Sequence, residues 1–163
     1  MISMIRIDDR LVHGQVAVKW SKQLSVSRII VVSDAIAKNE IQVSALKMAA
    51  PAGVKVVVLG VEKATAIIND PRSKDMKILV VTNDPKNVEE LLPLLEQKDL
   101  FLNMANYGRI GGALSDKEKI TETVYISPAD KEVIQQIFAM GYDFQYQPLP
   151  DDSPQSLKQL IGG

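Results

Sequence analysis

Two stretches decide the fold: RIIVVS at residues 28–33 and VKVVVL at residues 54–59. Both are short, rich in β-branched side chains and apolar over most of their length, which is typical of strands that are covered on both faces. The stretch at 15–24 instead places Val16, Trp20 and Leu24 at helical spacing. We therefore predict an α/β fold, with a central, mostly parallel β-sheet flanked by helices on both faces.

The same alternation continues along the whole chain. We predict strands over 2–7, 28–33, 54–59, 76–82, 100–104, 119–126 and 142–147. We predict helices over 15–24, 36–50, 61–69 and 153–161, and two more that begin at the pairs Asp84-Pro85 and Ser127-Pro128. Pro93 is expected to kink or end the first of these two, and Gly141 to stop the second. No linker divides the 163 residues, so we expect one domain over 1–163.

Composition excludes several classes of protein. The chain is 46% apolar and 24% charged, which argues against disorder and against a coiled coil. It has no cysteine and one histidine, so disulfides and thiolate chemistry are excluded and a zinc site is not expected. The net charge of −1 gives no reason to expect a nucleic-acid partner. The apolar runs are far shorter than the ~20 residues of a membrane span, so we expect a cytoplasmic protein without membrane insertion.

One loop between a predicted strand and a predicted helix concentrates reactive side chains. In open α/β sheets, ligands bind beyond the carboxyl ends of the strands. The loop after the first strand reads DDRLVHGQ at residues 8–15 and contains the only histidine, His13. Gly14 follows it and the helix begins there, so we expect His13 at a helix N-terminus, where main-chain N–H groups and the helix dipole favour an anion.

The charged neighbours of His13 suit a phosphorylated histidine. Arg10 and Arg6 can make charge-assisted contacts to phosphate, and Asp8 and Asp9 can orient the imidazole or the arginines. Unprotonated imidazole is a good nucleophile at neutral pH. From residue types alone a second interpretation stays open, because a loop histidine is often merely exposed or hydrogen-bonded, and its charged neighbours are often surface ion pairs.

The other loops carry weaker signals. The segment 103–112 is glycine-rich and contains Arg109, which could contact an anion, but it lacks a dinucleotide-binding pattern. We predict a flexible loop there. Asp34 and Asp84 follow strands and precede helices, and we predict that both are helix caps.

Two other functional classes are compatible with an α/β domain. A receiver-like signalling domain also carries an acidic pair after its first strand, but it needs an acceptor aspartate at the end of the third, where this chain has Gly60. A nucleotide- or flavin-binding module would need a glycine fingerprint after the first strand, which is missing.

The segment RIDDRLVHGQV at residues 6–16 resembles the active-site signature of enzyme IIB subunits of the mannose/fructose/sorbose family, which belong to the bacterial phosphoenolpyruvate-dependent sugar phosphotransferase system. Residues 28–34, 47–56 and 61–64, the region of Asn103 and the tail 141–150 are similar to family blocks in the same order. The likeness covers essentially the whole chain.

The resemblance implies a protein-Nπ-phosphohistidine–sugar phosphotransferase without a metal or organic cofactor. His13 would accept a phosphoryl group on Nδ1 from a IIA domain and pass it to the sugar at the IIC and IID membrane subunits. Arg10 matches the motif arginine, and Asp8 and Asp9 match the acidic pair. The backbone around His13, Gly14 and Gln15 would form the phosphate cradle, with Arg10 and Arg6 as further phosphate contacts. The protein would be cytoplasmic and peripherally associated with the membrane transporter.

Two loop positions depart from the family pattern. Ala105-Asn106 stands where family members often carry a Gly-Gly or Gly-Asn step, and Gly60 stands where many carry serine. Neither departure touches the histidine motif.

Overall fold

A computed structural model describes residues 1–162, and its central feature is a seven-stranded sheet. The strands lie in the order β3-β2-β4-β1-β5-β8-β9, and every neighbouring pair is parallel except β8 and β9. The strands of this sheet are β1 (Ile2–Ile7), β2 (Arg28–Val32), β3 (Lys55–Leu59), β4 (Ile78–Thr82), β5 (Leu102–Met104), β8 (Phe144–Tyr146) and β9 (Gln155–Ser156). The α/β class and the mostly parallel sheet are confirmed.

Helices cover both faces of the sheet. The helices are α1 (Gly14–Leu24), α2 (Asp34–Ala37), α3 (Glu40–Met48), α4 (Val61–Asn69), α5 (Pro85–Leu91), α6 (Pro128–Ala139) and α7 (Leu157–Ile161). Buried side chains of α1, α2 and α3 belong to one apolar cluster, and those of α4 to α7 belong to another. Within β2, Ile29 and Val31 point to the first cluster and Ile30 and Val32 to the second. This alternation explains why the strand is apolar throughout.

The helix predicted over 36–50 is wrong as one element. The chain forms α2 and α3 instead, and the break falls at Lys38 and Asn39. The Asn39 side chain accepts a hydrogen bond from the Gln42 main-chain N–H at 3.1 Å and so starts a new helix. Asparagine competes for main-chain groups in this way more effectively than most residues, and here its capping bond interrupts an otherwise helical pattern.

The strand predicted over 119–126 is a hairpin outside the main sheet. Strands β6 (Glu118–Thr121) and β7 (Val124–Ile126) pair antiparallel, and the chain reverses at Glu122 and Thr123. The Thr121 hydroxyl accepts the Thr123 N–H at 3.1 Å, which stabilises the reversal. Continuous β-propensity concealed this turn.

The last predicted helix begins later than expected. Gln155 and Ser156 pair with β8 as the short strand β9, and Ser156 then caps α7 by accepting the Gln159 N–H. The stop at Pro93 is confirmed, because α5 ends at Leu91 and continues as a single 3₁₀ turn over Leu92–Leu94. The other predicted strands and helices are present with bounds that differ by a few residues.

The sheet order brings three loops together at one edge. Strands β4, β1 and β5 are neighbours and run parallel, so their carboxyl ends lie side by side. The segments that follow them contain Asp84, the pair Asp8 and Asp9, and Tyr107 with Gly108. The histidine loop is the middle one of the three.

Candidate active site

The turn after β1 is tied to both neighbouring strands. The Asp8 N–H donates to the Thr82 carbonyl at 2.9 Å, and the Asp9 N–H donates to the Asn106 carbonyl at 2.8 Å. The Leu11 N–H then donates to the Asp8 carbonyl at 2.9 Å and closes the turn, with Leu11 at a left-handed φ of 58°. The chain therefore makes a tight turn between the end of β1 and the start of α1.

His13 lies at the start of α1. It is the N-cap residue, with extended backbone angles, and its carbonyl accepts the Ala17 N–H at 3.3 Å. Its side chain makes no capping bond, and about 20% of that side chain is exposed. The Nε2 atom lies 3.1 Å from Oδ2 of Asp8. The ring is thus anchored on one nitrogen and accessible to solvent.

Asp8 anchors His13 from a fully buried position. Its side chain is 0% exposed, and its two oxygens accept from three donors. Oδ2 accepts from Nη2 of Arg6 at 2.9 Å as well as from His13, and Oδ1 accepts the Arg10 main-chain N–H at 2.9 Å. A carboxylate without solvent needs such partners to remain in place.

Arg6 has a different setting from the predicted phosphate contact. Its side chain is only 3% exposed, and its guanidinium donates to Asp8 and, through Nη1, to Oδ1 of Asn103 at 2.8 Å. The Trp20 ring lies over the guanidinium, 5.6 Å from carbon to ring centroid. Burial lowers the pKa of Arg6, and the Asp8 carboxylate acts in the opposite direction. Arg6 is a buried support of Asp8, because both of its terminal nitrogens, Nη1 and Nη2, donate to protein acceptors.

Asn103 and Trp20 complete this buried support, and sequence reasoning did not assign either to the site. Asn103 is 0% exposed and lies in β5, opposite Arg6 in the strand register. The Trp20 indole N–H donates to the Pro148 carbonyl at 2.9 Å, so the ring is fixed in the core as expected. An asparagine in the middle of a buried strand was the available signal for Asn103.

The other predicted phosphate contacts are at the surface beside His13. Arg10, Gly14 and Gln15 are all exposed. Gly14 has a φ of 45°, and a Cβ built on it would meet nothing within 4 Å. The first turn of α1 contains no acidic residue. The main-chain N–H groups at this helix start therefore face an open, electropositive position.

The Asp9 side chain holds the loop after β5. Its Oδ2 accepts the Gly108 N–H at 2.9 Å. Burial raises the pKa of Asp9, and the Gly108 bond acts in the opposite direction. We assign Asp9 to the loop, whereas the sequence had grouped it with Asp8.

The glycine-rich loop predicted to be flexible is anchored at several points. Tyr107 exchanges main-chain hydrogen bonds with the β6–β7 hairpin, and its hydroxyl donates to Asp130 at 2.7 Å. Gly108 has a φ of 88°, and a Cβ on it would overlap the Tyr125 carbonyl oxygen. Lys117 donates from Nζ to the Gly108 carbonyl at 2.6 Å. Close approach to the hairpin requires glycine at position 108.

Both predicted aspartate caps are present, although one caps a different helix. Asp84 accepts the Lys86 N–H at the start of α5. The Asp34 carboxylate instead accepts the Val61 N–H at the start of α4, at 3.0 Å. A side chain at Gly60 would collide with that carboxylate, which gives a physical reason for glycine there.

Within residues 1–162, no group of three or more His, Cys, Asp or Glu side chains is arranged to hold a metal ion. No helix in the same range is both long and apolar enough to cross a membrane.

Comparisons with known proteins identify the family of this chain. The family model for the PTS system sorbose subfamily IIB component matches residues 2–163. A probable phosphotransferase enzyme IIB component from Streptococcus pyogenes is 37% identical over 166 residues, which cover 99% of each chain. The mannose-specific EIIAB component of Escherichia coli is 30% identical, and the match covers 99% of this chain but 48% of that protein.

Solved structures show the same fold. The IIBSor domain of the sorbose permease from Klebsiella pneumoniae aligns with a TM-score of 0.90 and 28% identity, covering 99% of this chain and 96% of that one. An N-acetylgalactosamine-specific IIB component from Escherichia coli aligns with a TM-score of 0.81 and 28% identity, covering 95% and 98%. These matches rule out the receiver-like and nucleotide-binding alternatives. The chain belongs to the sorbose-subfamily IIB components of the sugar phosphotransferase system.

Proposed function

We propose that His13 is the phosphoryl carrier of this IIB component, accepting the group from a phosphohistidine of a IIA partner and passing it to a sugar held by IIC and IID membrane subunits. The observation that carries the proposal is the geometry of the one histidine in the chain. Its ring lies at the N-terminus of α1, partly exposed, with Nε2 bonded to the buried carboxylate of Asp8.

The Asp8 contact selects the nitrogen that reacts. An ionised carboxylate can only accept hydrogen bonds, so Nε2 carries the proton and Nδ1 carries the lone pair. In the first transfer, Nδ1 of His13 attacks phosphorus, its N–P bond forms as the N–P bond of the donor breaks, and the donor imidazole keeps the electron pair. In the second, a sugar hydroxyl oxygen attacks phosphorus, the electron pair returns to Nδ1, and the hydroxyl proton is released. Asp8 stabilises the positive charge that the ring gains between the two steps.

The surface beside the ring suits the phosphoryl group. The first N–H groups of α1, from Gly14 and Gln15, have no acceptor within the helix, and the dipole favours an anion there. The exposed guanidinium of Arg10 is three residues from His13 and can add a charge-assisted contact. We assign phosphate binding to these three residues and a supporting role to Arg6.

The family relationship supports the partners and the location that we propose. The Escherichia coli relative is an EIIAB component in which the match to this chain accounts for 48% of the length. That arrangement supports a IIA domain as the donor. We infer that the chain acts at the cytoplasmic face of the membrane, peripherally associated with IIC and IID, because the phosphoryl group must reach a sugar that crosses the membrane.

The test is phosphorylation by phosphoenolpyruvate through enzyme I, HPr and a cognate IIA. We expect an acid-labile, base-stable label in the wild-type protein and none in His13→Ala. Label that survives in His13→Ala would overturn the assignment. Arg10→Ala should slow transfer roughly 10²-fold, the scale for losing one donor to a developing anion. Arg72→Ala is the matched control, because Arg72 is exposed and pairs with Asp70, outside the site.

A further inference from the structure

Asn103 lies at the buried end of a hydrogen-bond chain that leads to His13. Its Oδ1 accepts from Nη1 of Arg6 at 2.8 Å, and its Nδ2 donates to the main-chain carbonyls of Gln147 at 2.9 Å and Gln145 at 3.4 Å. Both carbonyls can only accept, so the amide has one possible orientation, with its oxygen toward Arg6. Asn103 therefore presents a fixed acceptor to the guanidinium.

This fixed acceptor sets the position of Arg6. The guanidinium is a rigid, planar fork, so pinning Nη1 on Asn103 determines where Nη2 lies. Nη2 donates to Oδ2 of Asp8 at 2.9 Å, and the same oxygen is the one that holds Nε2 of His13. The position of Oδ2 of Asp8 thus depends on Asn103, which is fully buried and has no contact with the imidazole among its hydrogen bonds.

A second acceptor lies near the same nitrogen of the fork. Nη1 of Arg6 lies 3.5 Å from the Gln147 carbonyl, a long contact beside the short bond to Asn103. Without the Asn103 acceptor, this carbonyl is the remaining partner for Nη1. The guanidinium would then turn toward it and draw Nη2 away from its present contact with Asp8.

We propose that Asn103 is a positioning residue for phosphoryl transfer, which acts through Arg6 and Asp8 to keep His13 protonated on Nε2 and nucleophilic on Nδ1. The inference rests on the proposed function of His13 and deepens it. It differs from a purely structural role because it predicts a change in the tautomer of one ring. The chain is suited to that measurement, since it contains a single histidine and every imidazole signal belongs to His13.

The first test is the ¹⁵N spectrum of the unphosphorylated protein, which needs no partner. We expect one tautomer in the wild-type protein, with the proton on Nε2, and a mixture of the two in Asn103→Ala. Phosphorylation by phospho-IIA should be about 10-fold to 100-fold slower in Asn103→Ala at saturating IIA, with little change in KM for IIA.

Two further variants separate positioning from folding. Asn69→Ala removes an amide that also bridges main-chain groups, at Leu94 and Glu96, but away from the site, so it should leave tautomer and rate unchanged. Arg6→Lys keeps the charge and replaces the fork by one nitrogen, so it should mix the tautomers without any change at Asn103.

The outcomes are separable from failure of the carrier assignment. A single tautomer or an unchanged transfer rate in Asn103→Ala overturns the positioning role, and so does a single tautomer at full rate in Arg6→Lys. Equal effects in Asn103→Ala and Asn69→Ala also overturn it. If His13 is not the phosphoryl carrier, label will remain in His13→Ala. The labelling of His13→Ala tests the carrier, whereas the tautomer spectrum tests only the positioning role of Asn103.

Discussion

The pair of Arg6 and Asp8 gives a quantitative prediction, because both charges are almost completely buried and each is the other's main ionic partner. Their side chains are 3% and 0% exposed, and they are joined at 2.9 Å. Removing one member of such a pair leaves the other charge buried without compensation, which costs about 3–5 kcal/mol in the free energy of unfolding. We therefore expect Arg6→Met and Asp8→Asn each to lose about that amount. For a domain of this size the loss corresponds to a fall in Tm of roughly 6–20 °C.

The double variant tests whether the two residues act as one unit. Arg6→Met with Asp8→Asn leaves no buried charge at the pair, so its cost should be close to that of one single variant. The expected coupling energy is about 3 kcal/mol, near the upper end for contacting residues. Urea unfolding followed by the fluorescence of Trp20, the one tryptophan in the chain, gives all four free energies.

The control cycle uses Arg72 and Asp70, an ion pair with an exposed arginine, and should show no measurable coupling. If the losses in free energy of unfolding of Arg6→Met and Asp8→Asn simply add in the double variant, the two residues do not act as one unit. A single variant that is as stable as the wild-type protein would also contradict the prediction, since an uncompensated buried charge would then cost nothing.

Three further predictions concern the loop after β5 and the indole. Gly108→Ala should be clearly less stable than Gly111→Ala in thermal unfolding, because both positions have a left-handed φ but only the former Cβ would overlap the Tyr125 carbonyl; equal Tm values would contradict this. Asp9→Asn keeps an oxygen for the Gly108 N–H and removes a carboxylate whose pKa burial raises. Because this carboxyl has a higher pKa in the folded protein than in the unfolded chain, the wild-type protein loses stability as pH rises above about 4, the ordinary pKa of aspartate. The variant should therefore gain stability relative to wild type over that rise, and a gap independent of pH would refute the assignment. Trp20→Phe keeps a ring over the guanidinium but loses one hydrogen bond, and should cost about 0.5–1.5 kcal/mol beyond any loss of packing, measured by urea unfolding monitored by circular dichroism.

The elements that were predictable from sequence are those whose pattern reports burial directly. The segment of β2 is apolar on successive residues, and Ile29 to Val32 are buried with cover on both faces. The apolar run of β3 predicted a strand correctly, although β3 is an edge strand that is mostly half-buried. The loop of His13 could also be predicted from the sequence, because a strand, a turn glycine and a helix follow one another within a few residues. The end of α5 could be predicted from Pro93, because proline has no main-chain N–H to continue a helix; α5 ends at Leu91.

The elements that were missed depend on single side-chain hydrogen bonds. Asn39 starts a new helix through one bond to a main-chain N–H, and a helical pattern on both sides conceals it. Arg6 is a second case, since its position in a strand cannot reveal that its charge turns inward to Asp8 instead of outward to an anion. Asn103 is a third, because its partner lies 97 residues away in the chain and only strand order makes them neighbours.

The alternation within β2 has a consequence for how this chain tolerates change. Ile29 and Val31 fill one apolar cluster while Ile30 and Val32 fill the other, so inserting or deleting one residue in this strand would exchange the side chains offered to the two layers at once. The segments beyond the carboxyl ends have no such double obligation. An insertion in β2 should therefore disturb the cores on both faces of the sheet, whereas an insertion beyond the carboxyl ends should disturb only the local contacts of that segment, such as the bond from Gly108 to Asp9.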